Sequence, residues 1–245
     1  MSAHSIMSVS MLSGKGTGKG KDPKWRNWAA RFIEPEILES ADAEQMRRNL
    51  REIALVNRLF GGHGVARRLF REVATPSQPF TLLDVGAASG DMGAAVLRAF
   101  PRATVISLDL SPLHLAPQRG PCVAADAFHL PFAARSVDFV FCSLFLHHFE
   151  DDEVIALLSE FGRLARRAVL AIDLDRSRAA YYFLPATRWL FHWDSIMLHD
   201  GPVSVRSSFR RDELLSLARR AGLAQARVRR HHPWFRLSLS APVPP

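Results

Sequence analysis

Three acids and two glycines of this 245-residue chain stand at the ends of short apolar runs or in the turns that follow them, where polar groups can meet a ligand. Asp84 ends a short apolar run and is followed by Gly86 and Gly90. Asp109 ends a second such run, and Asp126 follows a third. Glycines at a turn let a ligand approach the backbone with no Cβ in the way. Met92, Ala95, Val96, Ala99 and Phe100 then recur at helical spacing, so a helix should point its N-terminal amides at the same place. Asp109 lies beyond Gly86 by about the distance, roughly 20 residues, that separates the first glycine from the ribose-binding acid in nucleotide folds. A carboxylate there can accept both hydroxyls of a ribose. The dinucleotide fingerprint G-x-G-x-x-G fails, because Ala88 and Asp91 stand where its second and third glycines belong. A phosphate loop fails as well, since no Gly-Lys-Ser/Thr follows.

His147, His148 and His199 form the other chemical set. An imidazole titrates near neutrality and can take a proton from a substrate. His199 has Asp200 beside it as an orienting acid, although His-Asp-Gly is equally a turn sequence. The adjacent His147 and His148 invite a metal reading, but no acidic ligand set or cysteine cluster accompanies them, and no metal is expected.

The elements that must carry these groups follow from periodicity. Thr81–Val85, Ala103–Asp109, the run at Cys122, the run after Asp138 and Leu164–Asp173 predict five strands. Asp151–Arg163 and Arg211–Gly222 predict helices. Ala226-Arg-Val and the stretch near Trp234–Leu239 read as two further strands, with His199–Phe209 as a loop. Residues 1–24, with a Gly-Lys repeat, form a flexible basic tail by composition. Residues 25–75 form an N-terminal helical cap, and 76–245 the core, with an aromatic insertion near 176–200. That insertion could wall a flat apolar substrate or mediate a homodimer.

Read as Asp84-Val-Gly86-Ala87-Ala88-Ser89-Gly90, the turn resembles motif I of the class I S-adenosylmethionine (SAM) methyltransferases, Asp/Glu-x-Gly-x-Gly-x-Gly, with Ala88 replacing one glycine. The stretch from Asp138 through Ser143 to His147-His148 is similar to the small-molecule branch, the ubiquinone/menaquinone biosynthesis and natural-product methyltransferases. The Asn-Pro-Pro-Tyr type of tetrapeptide that serves adenine and glutamine targets is missing. The resemblance covers about residues 40–240. It implies an α/β fold, a Rossmann-like seven-stranded sheet with helices on both faces. It further implies SAM as cofactor, held by Asp84, Gly86, Ala87, Gly90, Asp109, Leu110, Asp126, Ala127 and Ser143. Leu110 would pack on the adenine, with Asp126 and the next backbone amide at its edge. An acid at Asp84 suits the ammonium and sulfonium of SAM and would repel a pyrophosphate. The implied reaction is methyl transfer to a small hydrophobic aromatic or polyketide-like acceptor, on oxygen before carbon, with His147, His148 and His199 as candidate bases. An RNA methyltransferase and a non-catalytic SAM-fold binding protein are the alternatives.

Bulk properties narrow the choice. Hydrophobic content of 48% with 23% charged residues fits an ordinary globular chain. No apolar run reaches the roughly 18–20 residues of a membrane span. Cys122 and Cys142 lie in strand-like runs and are expected as buried free thiols, which points to a reducing, cytoplasmic address. The net charge of +8 sits at the two ends: residues 1–31 hold six Lys/Arg against one acid, and 201–245 hold nine against two. The arginines fall in helical patterns without interleaved aromatics, so solvated faces are expected and nucleic acid is not.

Overall fold

In the computed structural model, which describes residues 28–244 without the side chains of 39 and 40, the first long apolar run is β1 (Phe80–Val85). It belongs to a seven-stranded sheet with β2 (Ala103–Asp109), β3 (Cys122–Ala124), β4 (Val137–Ser143), β5 (Ala165–Leu174), β6 (Arg227–His231) and β7 (Arg236–Pro242). The order is β3-β2-β1-β4-β5-β7-β6. β1 to β5 pair in parallel, and β7 runs antiparallel to both β5 and β6. The order reverses between β1 and its neighbours β2 and β4, and open α/β sheets bind ligands outside the carboxyl ends of the strands at such a switch point. Residues from Arg31 onward form one compact unit.

The central parallel strands β1, β4 and β5 are buried on both faces over most of their length. Successive side chains alternate, so Phe139 and Phe141 face one layer and Val140 and Cys142 the other. On the first side, α1 (Ala43–Leu59), α2 (Gly62–Arg71) and α3 (Asp91–Ala99) lie together, with Phe70 of α2 fully buried against Phe80, Phe100, Phe139 and Phe141. On the second, α5 (Asp151–Leu164) and α8 (Arg211–Arg220) bury Leu157, Leu158, Phe161, Leu214 and Leu217. A short α4 (Pro112–Leu115) follows β2. The start of α1 is fixed by a capping box: Asp42 Oδ1 accepts from the amides of Glu44 and Gln45 at 2.9 Å.

The aromatic insertion and the stretch after it form α6 (Arg178–Phe191) and α7 (Ser195–Ser207). Here the structure corrects the sequence expectation, because most of the supposed loop His199–Phe209 is the body of α7. Gly201-Pro202 looks like a turn, but Gly201 is where α6 comes close: a Cβ there would strike Leu184. Tertiary packing thus uses the missing side chain for a helix contact. Cys122 corrects another expectation. It is exposed, since β3 is a three-residue edge strand, whereas Cys142 is buried, and both are free thiols. The last strand begins at Arg236, two residues beyond its expected start. The predicted basic tail, residues 1–24, lies outside the described residues.

Candidate active site

The turn after β1 is held by its own backbone and by Asp109. Gly86 and Gly90 have φ of +66° and +72°, and Ala88 between them has +46°. Left-handed backbone costs a non-glycine residue roughly 1–2 kcal/mol, which is why glycine is the easier choice at that position. The strain is offset locally. The Ala88 amide donates to Asp109 Oδ2 at 2.9 Å, the Ala87 amide to the Leu108 carbonyl at 2.9 Å, and Gln118 Nε2 to the Ala88 carbonyl at 2.9 Å. Asp109 Oδ1 also accepts from the Ser111 amide and from His114 Nδ1, each at 2.9 Å. The two glycines are covered by side chains that no Cβ could share space with, Phe145 over Gly86 and Gln118 over Gly90.

Beneath the turn, Asp84 is 1% exposed and its Oδ2 has no hydrogen-bond partner among the described residues. Burial pushes its carboxyl up to about 8, helped by the charges of Asp91 and Asp109 and opposed by the Gly93 amide. Ser143, at the end of β4, likewise buries an Oγ without a partner. Leu110 stands 54% exposed beside Asp109, free to pack on a planar group. Asp126 accepts from the Phe128 amide and from His129 Nδ1, both at 2.9 Å, and thereby caps the short turn that carries the buried Ala127.

The structure brings His147 and His148 together with acids that the sequence keeps far away. Both lie on a 3-10 turn, Leu146–His148, just after β4, with ring centroids 4.3 Å apart. His147 is 2% exposed; its Nδ1 is 2.7 Å from Asp173 Oδ1 on β5, and its amide donates to Asp173 Oδ2 at 3.2 Å. Its Nε2 is 3.8 Å from Glu36 Oε1. Burial works against its charge, but Asp173 and Glu36 outweigh burial and lift it to about 9. Burial also works against Glu36, yet the bond to His147, the neighbouring His148 and the Ser204 hydroxyl hold it down at about 2. His148 is half-buried, and burial together with the His147 charge lowers it to about 4. The result is a fixed imidazolium flanked by two carboxylates, with a neutral imidazole stacked against it.

His199 stands apart from this pair. Its Nδ1 is 2.9 Å from Asp200 Oδ1, and its side chain is 53% exposed. Asp200 mainly fastens the 3-10 turn Ile37–Ser40, accepting from the amides of Ile37 at 3.0 Å and Leu38 at 2.9 Å. That turn carries the chain away from Glu36, so Asp200 positions Glu36 for His147. Arg31 anchors the same arm, reaching the Ser207 carbonyl, the Phe149 carbonyl and Asp151 while lying 4.1 Å over the Phe209 ring.

Glu36 also bears on the metal expectation, since it supplies the acid that is missing near the histidines in sequence. Single donor atoms of Glu36, His147 and His148 lie within 4.8 Å of one another. With His147 held protonated the trio is an ion pair, and a divalent ion would have to displace that proton.

Sequence reasoning missed Glu36, Asp173 as a histidine partner, Gln118 and Phe145. Asp173 carried a usable signal, an acid at the end of an apolar run like Asp84 and Asp109. Glu36 carried none, sitting in a stretch without periodicity.

The aromatic insertion has two sides. Inward, Phe183, Phe191 and Trp193 close around Phe60, the residue that ends α1, at centroid distances of 4.8, 5.4 and 6.5 Å, and Phe183 reaches Phe235 at 5.9 Å. Outward, Tyr182, Trp189 and Leu190 are 61%, 74% and 56% exposed.

Residues 83–172 match the family described as "Methyltransferase domain". No curated protein sequence matches the chain. Among solved structures, a SAM-dependent methyltransferase from Aquifex aeolicus superposes with a TM-score of 0.58 at 15% identity, over 83% of this chain and 100% of that one. Human N-acetylserotonin methyltransferase, solved with SAM, gives 0.61 at 12% identity, over 83% of this chain and 57% of its own. Magnesium protoporphyrin IX methyltransferase from Synechocystis, solved with S-adenosylhomocysteine, gives 0.53 at 14% identity, over 83% and 100%. The chain spans 56% of the length of a similar Nostoc punctiforme protein. At such identities these likenesses speak for the fold, and the family match speaks for the domain within it. Residues 83–172 therefore carry a methyltransferase domain, and the sheet around them has the fold of the solved SAM-dependent methyltransferases.

Proposed function

We propose that the protein methylates a small hydrophobic aromatic or polyketide-like acceptor, on oxygen in preference to carbon. The observation that carries the reading is the pairing of a neutral His148 with a charge-fixed His147 directly beyond β4, two residues from the Phe145 ring that covers Gly86. When bound, SAM supplies an electrophilic methyl group. The residues present fit it. Gly86 and Gly90 carry no Cβ, so the Phe145 and Gln118 side chains lie directly over the turn backbone, and Asp84 and Ser143 offer buried oxygens that have no partner among the described residues. Asp109 would hold the ribose hydroxyls, Leu110 would pack on the adenine, and Asp126 with the Ala127 amide would meet its edge. Asp84 would take the ammonium, whose charge would draw the carboxyl back toward its ionised form.

On the acceptor side, His148 takes the proton of a phenolic hydroxyl late, as the bond to the methyl group forms and the oxygen turns strongly acidic. An imidazole lowered to about 4 is too weak a base to ionise the phenol beforehand. His147 is a positioning residue: its charge keeps His148 neutral and stabilises negative charge forming nearby. Phe183, Phe191 and Trp193 support an apolar wall, and the rest of the enzyme's task is orientation and exclusion of water. RNA is disfavoured by the state of the basic C-terminal strand, where Arg229 pairs with Glu72 and Arg230 with Asp175. No helix among the described residues is long and apolar enough to cross a membrane. A cytoplasmic location belongs to the same reading, supported by the two free thiols, and so does a homodimer through the exposed outer face of α6.

The test is incubation with methyl-labelled SAM and a panel of phenols, quinols, aromatic polyketides and bulk tRNA. Label on a phenolic oxygen, located by mass and NMR, is the expected result. Label on a ring carbon would replace O- by C-methylation, and label in tRNA would overturn the small-molecule reading.

A further inference from the structure

Arg236 is the first residue of β7, at the same sheet edge as the ends of β1 and β4, and it pairs across the ladder with Leu174 at the end of β5. The side-chain alternation of β7 puts Leu237 and Leu239 in the core beneath α5 and α8, so Arg236 extends toward the opposite layer, that of α1 to α3. There it is 2% exposed. One of its nitrogens, Nη2, donates to Asn57 Oδ1 at 3.1 Å. Asn57, itself buried, passes the contact on: its Nδ2 donates to Asp91 Oδ2 at 3.2 Å, and His63 Nε2 meets the same oxygen at 2.9 Å. Asp91 is the first residue of α3, immediately after Gly90. The guanidinium is thus tied, through one asparagine, to the floor of the cofactor turn.

Its other two nitrogen groups, Nε and Nη1, are buried with no partner among the described residues, and Arg236 makes no direct ion pair there. Guanidinium presents its donors in a planar fork that matches a carboxylate, and a buried donor without an acceptor is costly. Burial lowers its pKa to about 10, with Asp173 and Asp91 pulling it back up. A folding role alone does not account for such a group, because an apolar side chain would fill the space without the desolvation penalty.

We propose that Arg236 is the anion anchor of the methyl-transfer site, its Nε and Nη1 receiving a ligand carboxylate. This rests on the SAM-dependent reading of the site. Two ligands can bring that carboxylate: the amino-acid end of the cofactor, or an acidic acceptor such as an aromatic acid. Asp84 and Ser143 at the same edge then complete the set of buried polar atoms that await a partner.

The experiment is calorimetric titration of the full chain, wild type and Arg236→Gln, with three probes. These are S-adenosylhomocysteine, its decarboxylated analogue, and hydroxybenzoic acids added at saturating S-adenosylhomocysteine. If the cofactor supplies the carboxylate, wild type prefers S-adenosylhomocysteine over the decarboxylated analogue by on the order of ten- to a hundredfold, and Arg236→Gln abolishes that preference. If the acceptor supplies it, the two nucleosides bind alike and the hydroxybenzoic acids lose a similar factor in the variant. The ligand-side comparison on wild type stands even if the variant does not fold. Equal binding of both nucleosides by wild type, together with no binding of the hydroxybenzoic acids, overturns the inference alone. A wild type that binds neither nucleoside overturns the cofactor reading and the inference together.

Discussion

The two halves of the site are built by different means. In the cofactor half, between β1 and β3, the groups that matter are close in sequence and many are backbone amides: Ala87 and Ala88 answer Leu108 and Asp109 across one crossover. In the acceptor half, beyond β4 and β5, the groups are side chains from remote segments. Glu36 and His147 are 111 positions apart, and Asp173 and Asp200 come from two further elements. Charge runs in opposite directions as well. Burial leaves Asp84 a neutral acid that a cation would ionise, whereas at Glu36 and His147 mutual pairing overcomes burial and fixes both charges. On the proposed reading, the side between β1 and β3 holds buried oxygens in reserve for the cofactor, whereas the side beyond β4 and β5 has satisfied its ions and leaves one neutral imidazole to act on the acceptor.

This contrast can be broken at three points. The largest expected effect is on chemistry: His148→Ala lowers turnover by about a hundred- to ten-thousandfold with SAM affinity retained, as loss of a general base does. Full turnover in that variant would remove histidine base catalysis at this position. Next, Asp109→Ala weakens SAM binding by on the order of a hundredfold in calorimetry, since a buried charged acceptor and the anchor of Ala88 go together. Near-normal affinity would end the ribose assignment. The smallest effect is on stability against pH. His147 is raised to about 9 in the folded chain, so its contribution is fully present below its unfolded value, near 6.5, and is lost as pH rises through 9. Glu36 is depressed to about 2, so its contribution is present above 4.5 and is lost as pH falls toward 2. Thermal unfolding of His147→Gln should therefore lag behind wild type most below pH 6.5 and converge with it above pH 9; a constant gap across that range would mean that the ion pair is not the source.

Legibility followed the same division. The turn, Asp109 and the strands around them were readable because local pattern dictates them: apolar runs set the strands, and positive φ selects glycine at Gly86 and Gly90. Ala88 shows the limit of that rule, since it adopts the same backbone region without being glycine and is held there by Asp109 and Gln118. Gly201-Pro202 misled for a related reason. Its residue types are those of a turn, yet the chain stays helical there because Gly201 lets α6 and α7 meet.

The sequence by itself determined an α/β sheet, the place of its ligand turn and the identity of the histidines, since hydrophobic period and backbone preference act over a few residues at a time. Only the tertiary structure decided which histidine carries charge, that Glu36 and Asp173 impose it, and that Arg236 faces Asn57 with two donors to spare. Those outcomes depend on burial and on distances of a few ångströms between segments 26 to 179 residues apart in the chain, and electrostatic energy in a low-dielectric interior is set by such distances and not by order along the sequence.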